Sequence, residues 1–289
     1  MPSSHPAPPS CHWFSRLAPA LDRRSAPLLV VLFLGAILAR GRRTVTSWIR
    51  AAGLSREYRR CYTTVSAAGK RTDLIAAHLA HEMVKPLVAG ATRLTFALDD
   101  TPTEQHGRHV QGAGVHHNPC PGPANSPFVY GHVWVVLGLL AAHPAWGVIA
   151  LPLLARLYIR EKSLASITPE HRPAFTTKLE LAVDLMRWSV RWLGFLGKPL
   201  WVVVDGAYAK APFLKPMRSL GVTMVSRLRR DAALWTTPRP RRPGQRGTQR
   251  IYGKHRIDLA KRAGQRRGWA TGTFDLYGKA VVKRYKTFV

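Results

Sequence analysis

The stretch that decides the fold is residues 200–206, which read LWVVVDG. A short run of apolar, mostly β-branched residues is typical of a buried strand, and the Asp-Gly pair that follows favours a turn. A second run of this kind, residues 94–100, reads LTFALDD and also leads from β-forming residues into acids. Both runs therefore predict a strand with a carboxylate at its carboxyl end.

Around these two runs, strand-like segments alternate with helix-like segments, which indicates an α/β domain. Residues 172–196 space their apolar positions as an amphipathic helix does, and residues 197–199 (GKP) end the pattern. The other predicted elements of this part are a helix at 210–220 and strands at 110–115, 134–140 and 223–226.

The N-terminal part of the chain has a different character. Residues 1–25 are rich in Pro and Ser and predict a disordered leader, whereas residues 26–90 predict an all-helical region. Its expected helices are one at 28–40 that Gly41 ends, one at 45–52 capped by Thr44, and one capped by Ser55.

Two of these helices, separated by a turn that contains glycine, fit a helix-turn-helix. In this interpretation Arg42, Arg43, Thr44 and Arg50 contact DNA. The same pattern also fits a helical packing unit, and both interpretations stay open.

The charge balance is the strongest global signal. The chain has 44 Lys and Arg against 15 Asp and Glu, a formal net charge of +29, although 46% of its residues are hydrophobic. Such an excess opposes compaction, and a polyanion such as DNA relieves it because Lys and Arg displace the counterions condensed on phosphates. A basic ribosomal or assembly protein, or an arginine content set by a GC-rich genome, is the alternative.

The C-terminal part concentrates this charge. Residues 227–286 hold 18 Lys and Arg but only three acids, Asp231, Asp258 and Asp275. Residues 238–250 predict a loop, because proline and glycine recur there. This loop is either a solvated linker or a segment that lies along a DNA backbone through five arginines, namely Arg239, Arg241, Arg242, Arg246 and Arg250.

Two further classes of protein have little support. The three cysteines lie far apart and form no CxxC pair, so a zinc site or a disulfide framework is not expected. Residues 28–39 are too short for a transmembrane helix, and His and Pro interrupt the longer apolar stretch at 128–159. We expect no membrane location, but a reduced cytoplasm and association with the nucleoid.

The acids that end the two buried runs are the candidate chemistry. Asp99 or Asp100 follows the first run and Asp205 follows the second, 106 positions after Asp99. The carboxyl ends of strands in α/β sheets are where sites gather, and converging carboxylates suit Mg²⁺ or Mn²⁺. Two such ions support phosphodiester cleavage. The alternative is that these acids only open turns.

Several of these segments together resemble DDE transposases of insertion sequences. LDDTP at 98–102 resembles the Asp-x-Thr end of their first catalytic strand, and VVVDGAY at 202–208 resembles their second catalytic strand. Further similar segments are Gly107, GRRTVT at 41–46, GAGVHH at 112–117 and YGH at 130–132. The resemblance extends over roughly residues 26–289.

The resemblance implies an RNase H-like mixed sheet flanked by helices, over residues 91–289, with a basic insertion from about residue 227. It implies that Asp99 and Asp205 are catalytic and bind two Mg²⁺ or Mn²⁺ ions, with Asp100 as the fallback for Asp99. The implied partner is double-stranded DNA, at the ends of the element and at its target, and a homo-oligomer is possible.

The family also implies a third metal-binding acid, a glutamate on a helix after the second strand. The sequence holds no glutamate after Glu180, and the cluster at 158–162 (YIREK) precedes Asp205. We therefore expect an incomplete catalytic domain in a C-terminally truncated transposase. Such a chain is either part of an enzyme lineage or a non-catalytic DNA-binding protein that acts as an inhibitor or is a decayed remnant.

Overall fold

The fold centres on a six-stranded mixed sheet. The computed structural model describes residues 16–41, 44–83, 87–107, 109–118, 126–228, 231–276 and 279–287. The strands of the large sheet are β1 (Leu94–Glu104), β2 (Gly114–His117), β3 (Phe128–His143), β4 (Gly147–Tyr158), β5 (Leu200–Val204) and β6 (Thr223–Ser226). The order is β2-β3-β1-β5-β6, and β4 pairs with β3.

The sheet has an antiparallel half and a parallel half. β3 pairs antiparallel with β1, β2 and β4, while β5 runs parallel to both β1 and β6. The parallel connections require crossovers, and helices supply them. Together with the flanking helices, this mixed sheet is the α/β, RNase H-like architecture that the sequence predicts.

The helices of the structure are α1 (Ala26–Leu38), α2 (Val45–Ala51), α3 (Tyr58–Lys70), α4 (Thr72–Met83), α5 (Lys178–Leu193), α6 (Ala211–Ser219) and α7 (Leu259–Gly264). α5 begins with a capping box, in which the Thr177 hydroxyl accepts from the backbone N–H of Glu180 and the Glu180 carboxylate accepts from that of Thr177. α5 and α6 are the crossovers that link the parallel strands.

The main core lies between one face of the sheet and helices α4, α5 and α6. Phe96 of β1, Leu137 of β3 and Val202 of β5 are fully buried on that face. The opposite face is less covered within the described residues, because Val203 is 37% and Val225 41% exposed. Because side chains on a strand alternate between its two faces, the even-numbered residues of β5 face the core and the odd-numbered residues face the more exposed side.

Helices α1, α2 and α3 form a separate small cluster around Leu32, Ile49 and Cys61. Gly35 of α1 lies against the backbone of Trp48, where a Cβ would clash with the Trp48 carbonyl. α4 belongs to the main core instead, through Ala76, Ala77 and Ala80.

The predicted disordered leader, residues 1–25, lies partly within the described residues. Residues 16–25 are described, and Leu17, Ala20 and Leu21 among them are buried. The first 15 residues lie outside the described residues.

The basic C-terminal part contains two small two-stranded sheets. β7 (Leu234–Trp235) pairs with β8 (Arg256–Ile257), and β9 (Ala270–Leu276) pairs with β10 (Lys279–Tyr285). The predicted loop at 238–250 joins β7 to β8 and contains neither helix nor strand. Within the part of the chain that the structure describes, none of the helices has both the length and the apolar composition needed to cross a bilayer.

Several predicted boundaries were wrong. β1 continues past Asp100 to Glu104, since β3 pairs with it along that length. α5 begins at Lys178 rather than at residue 172, because the capping box at Thr177 fixes its start. The third N-terminal helix begins at Tyr58 after Glu57, so Ser55 is not its cap. The strand predicted at 110–115 is β2, shifted to Gly114–His117.

Candidate active site

Asp99 and Asp205 occupy corresponding positions on neighbouring parallel strands. The register pairs Leu98 of β1 with Val204 of β5, so the next residue of each chain segment is the predicted aspartate. Leu98 and Val204 point into the core at 2% and 5% exposure. By the alternation of the strand, Asp99 leaves β1 on the opposite, less covered face, and Asp205 is the first residue after β5. The structure thus brings two segments that lie 106 positions apart next to each other, and the charge of Asp205 reaches the Asp99 carboxylate.

The electrostatics of Asp99 reflect this proximity. Loss of solvent around the carboxylate raises its pKa above the usual range, and the negative charges of Asp100 and Asp205 raise it further. The Asp100 N–H, which donates to Asp99 Oδ1 at 2.8 Å, and the charge of Lys178 oppose this rise. A cation near Asp99 and Asp205 would relieve their repulsion.

The turn after β5 holds Asp205 in a defined orientation. Asp205 Oδ1 accepts from the backbone N–H of Ala207 at 2.8 Å, and the Asp205 carbonyl accepts from the Ser226 hydroxyl at 2.9 Å. Gly206 passes so close to the chain after β6 that an added Cβ would lie 2.8 Å from the Arg227 carbonyl oxygen. A side chain at position 206 would therefore have to displace this backbone, so the close approach favours glycine there.

Asp100, the fallback candidate, lies on the other face of β1 and is bound differently. Its Oδ1 accepts from the Tyr208 hydroxyl at 2.9 Å, and its Oδ2 forms an ion pair with Lys178 Nζ. Asp100 and Lys178 also line a cleft of about 280 Å³, together with His116, Tyr158 and Arg160 among others. Burial lowers the pKa of His116, and the charges of Arg160 and Lys178 lower it further.

The donors at Asp99 and Asp205 suit a divalent cation. Carboxylate oxygens are the ligands that Mg²⁺ and Mn²⁺ prefer, and the pKa of Asp99 is raised mainly by loss of solvent and further by the negative charges of Asp100 and Asp205. Among the described residues, no group of three or more His, Cys, Asp or Glu side chains is arranged to hold a metal ion. The pair fits a cation but leaves most of its coordination to other ligands.

Residues 16–271 match the sequence model of a family described as DDE superfamily endonuclease. The chain belongs to this family. No match was found among curated proteins. For this DDE superfamily endonuclease, membership means a nuclease-type function, a nucleic-acid substrate and a chemistry that typically uses divalent metals. The mixed sheet and the strand order agree with that assignment.

Among the described residues, the acids that follow Asp205 offer no clear counterpart of the third carboxylate that the family leads one to expect. Asp258 caps α7 by accepting from the Lys261 N–H at 3.0 Å, and this hydrogen bond lowers its pKa. Asp275 lies on β9, outside the large sheet. Glu161, in the cluster at 158–162, begins a 3-10 helix after β4. Truncation stays a prediction.

The predicted DNA contacts lie in two places. Thr44 caps α2 by accepting from the Ser47 N–H, and Arg50 of α2 donates to the Tyr58 hydroxyl at 3.3 Å. Arg42 and Arg43 lie outside the described residues. The five loop arginines, Arg239, Arg241, Arg242, Arg246 and Arg250, are all exposed.

Sequence reasoning did not identify Lys178 or the contact of Tyr208 as parts of the site. Tyr208 stood within the VVVDGAY segment, but nothing in the pattern linked its hydroxyl to Asp100. Lys178 lies 78 positions from Asp100, at the start of a helix where a lysine is ordinarily solvated. The signal in the sequence that could have located the start of that helix was its capping residue, Thr177.

Proposed function

We propose that this DDE superfamily endonuclease binds double-stranded DNA at the ends of an insertion element. Asp99 and Asp205 are then two of the metal-binding carboxylates of a site that performs strand cleavage and strand transfer in the complete protein. The observation that carries the proposal is the register of β1 and β5, which aligns Leu98 with Val204 and so makes the two aspartates neighbours.

Backbone N–H groups of the chain hold the two carboxylates in the fixed positions that such chemistry needs. The Asp100 N–H orients Asp99 and the Ala207 N–H orients Asp205, so both carboxylates are held before any ligand arrives. When bound, a pair of Mg²⁺ or Mn²⁺ ions supplies an activated water and stabilises the leaving oxygen of a phosphodiester. The nucleophile is water in cleavage and a DNA 3′-hydroxyl in strand transfer.

The charge distribution supports DNA as the substrate. The net charge of +29 is concentrated after Arg227, and the exposed arginines between β7 and β8 present it on a segment with no core of its own. We propose that this loop follows the phosphate backbone, and that Arg50 and the segment around Thr44 contact DNA from the helical region. Phosphate contacts of this kind position a protein without reading sequence.

A second candidate function is favoured by a specific observation. The sequence has no glutamate after Glu180, and Asp258 is engaged as a helix cap. In this alternative, residues 1–289 supply Asp99 and Asp205 but no third metal-binding carboxylate, so that the chain binds DNA without cleaving it and competes for element ends. Both candidates require DNA binding and differ only in cleavage.

DNA binding is tested by its dependence on salt. We expect the full chain to bind duplex DNA at low salt and to lose affinity steeply as salt rises, with a log-log slope of about −0.9 per phosphate contact. Replacing Arg239 and Arg246 with Ala should make the slope shallower by up to about two, because two phosphate contacts are lost. The measurement is fluorescence anisotropy with a labelled duplex.

The matched control removes the same charge elsewhere. Arg187 and Arg218 are exposed arginines on α5 and α6, and replacing both with Ala should leave the slope unchanged. A flat salt response of the wild type, or no binding at low salt, would contradict the proposal. Equal slopes for the two double variants would show that the loop does not contact the DNA phosphates.

A further inference from the structure

The carboxylate of Asp100 is occupied on both of its oxygens. Tyr208 donates its hydroxyl proton to Oδ1 at 2.9 Å, and Lys178 donates to Oδ2 through its ammonium group. Both bonds involve an ionised partner, and such hydrogen bonds are roughly twice as strong as those between neutral groups. A cation bound directly by Asp100 would have to displace one of these donors.

The two donors come from different elements and are themselves fixed. Lys178 is the first residue of α5, whose start is set by the capping box at Thr177, and its Nζ also lies 5.4 Å from the centre of the Tyr158 ring on β4. Tyr208 is only 2% exposed, and its ring packs edge-on against Phe213 of α6 at 5.9 Å.

Tyr208 lies in the same short turn as Asp205. The turn is closed by the Tyr208 N–H, which donates to the Asp205 carbonyl at 3.3 Å. The Tyr208 hydroxyl therefore ties the segment that carries Asp205 to the residue that follows Asp99 on β1. Burial and the charge of Asp100 raise the pKa of Tyr208, so the hydroxyl keeps its proton and remains a donor at neutral pH.

We propose that Asp100 is a positioning residue and not a metal ligand: through the Tyr208 hydroxyl it holds the Asp205 turn in register with Asp99. This role rests on the proposed function of Asp99 and Asp205 as the metal-binding pair. Loss of the Tyr208 hydroxyl leaves the ring packed on Phe213 but lets the turn shift relative to β1. Small displacements at a site of this kind have large effects, because its chemistry depends on position.

The first test needs no metal. The Asp99 carboxyl is titrated by ¹³C NMR in the full chain, and its signal is assigned by its loss in Asp99→Asn. Asp205→Asn should lower the pKa of Asp99, because it removes a neighbouring negative charge. In a Tyr208→Phe background the same substitution should lower the pKa of Asp99 by less than it does in the wild type, since the turn is no longer held.

A matched control uses a tyrosine that is not buried. Tyr130 of β3 is 36% exposed, and Tyr130→Phe should leave the coupling between Asp99 and Asp205 as in the wild type. Equal coupling in the wild type and in Tyr208→Phe would overturn the proposal. Thermal unfolding of each variant shows whether the chain is folded, and Tyr208→Phe is expected to remain so.

The second test distinguishes a ligand from a positioning residue. Binding of Mn²⁺ to the full chain is followed by electron paramagnetic resonance of the free ion. Asp99→Asn and Asp205→Asn should abolish binding, whereas Asp100→Asn and Tyr208→Phe should each weaken it about 10-fold, as substitutions behind a metal ligand do.

The outcomes separate this inference from the function on which it rests. Loss of Mn²⁺ binding in Asp100→Asn as complete as in Asp99→Asn would make Asp100 a ligand and overturn the inference. Absence of Mn²⁺ binding to the wild type would overturn the proposed function, and the titration of Asp99 would still decide whether Tyr208 holds the turn.

Discussion

At the scale of single residues, Asp99 and Asp100 are adjacent in sequence but have different surroundings. Asp100 Oδ1 and Oδ2 bind Tyr208 and Lys178, whereas Asp99 Oδ1 accepts only a backbone N–H in the contacts described above. The Asp-x-Thr pattern favoured Asp99 over Asp100, and the alternation of β1 puts Asp99 on the less covered face of the sheet, where the charge of Asp205 reaches it. The contacts of Asp100 could not be predicted, because they join residues 78 and 108 positions apart.

The raised pKa of Asp99 predicts a gain of stability when its charge is removed. Its pKa is higher in the folded protein, so the folded state disfavours the ionised carboxylate once the pH exceeds that value. Asp99→Asn should therefore raise the thermal midpoint at about pH 7, and the gain should shrink as the pH falls through the ordinary value of 3.8, below which Asp99 is mostly protonated in both states.

Thermal unfolding at about pH 7 and about pH 4 measures this difference. The control is Asp275→Asn, which changes an exposed aspartate of β9 and should leave the midpoint nearly unchanged, as most surface substitutions do. A lower midpoint for Asp99→Asn at neutral pH would show that the carboxylate stabilises the fold and is not crowded by charge.

At the scale of elements, the buried parallel strands were the most predictable part. β5 was predicted with the bounds it has, because its run of Val residues before the Asp205–Gly206 pair is typical of a buried strand, and β6 was predicted to begin at Thr223, where it does begin. β4 was not predicted as a strand, because Pro152 interrupts its sequence. Pro152 is tolerated since, among the described strands, β4 pairs with β3 alone, and the register of that pair shifts next to Pro152, between the pairs Leu137–Leu154 and Gly138–Pro152.

The N-terminal cap of α5 makes a measurable contribution to the free energy of unfolding. Thr177→Ala removes the hydroxyl that accepts from the Glu180 N–H, and loss of such a cap lowers the free energy of unfolding by about 1 kcal/mol. Denaturant unfolding should show this loss. Thr176→Ala is the matched control, because its hydroxyl bonds only to the Ala174 carbonyl at 3.4 Å, and its effect should be much smaller. Equal effects would contradict the capping role.

At the scale of the whole molecule, fold class and family could be predicted from a few segments, but the completeness of the site could not. The sheet order, the register of β1 with β5 and the family match over residues 16–271 agree with each other. What sequence alone could not decide is how many carboxylates reach the site, because Asp258 and Asp275 became a helix cap and a residue of a separate sheet.

DNA binding and DNA cleavage place different demands on the chain. We expect the net charge of +29 and the exposed arginine loop to suffice for DNA binding, while cleavage requires enough oxygen ligands to place two ions in line with the scissile phosphate. Asp99 and Asp205 supply two carboxylates. Ions held by this pair alone would be poorly positioned, and catalysis of phosphoryl transfer depends mostly on positioning and electrostatics.

The most direct measurement incubates the full chain with a plasmid that carries its gene and flanking sequence, in Mg²⁺ or Mn²⁺, and follows nicking and linearisation. We predict that the chain binds this DNA but does not cut it, and that Asp205→Ala behaves identically. Cleavage by the wild type that disappears in Asp205→Ala would contradict the account, because it would show a site complete without a glutamate after Asp205.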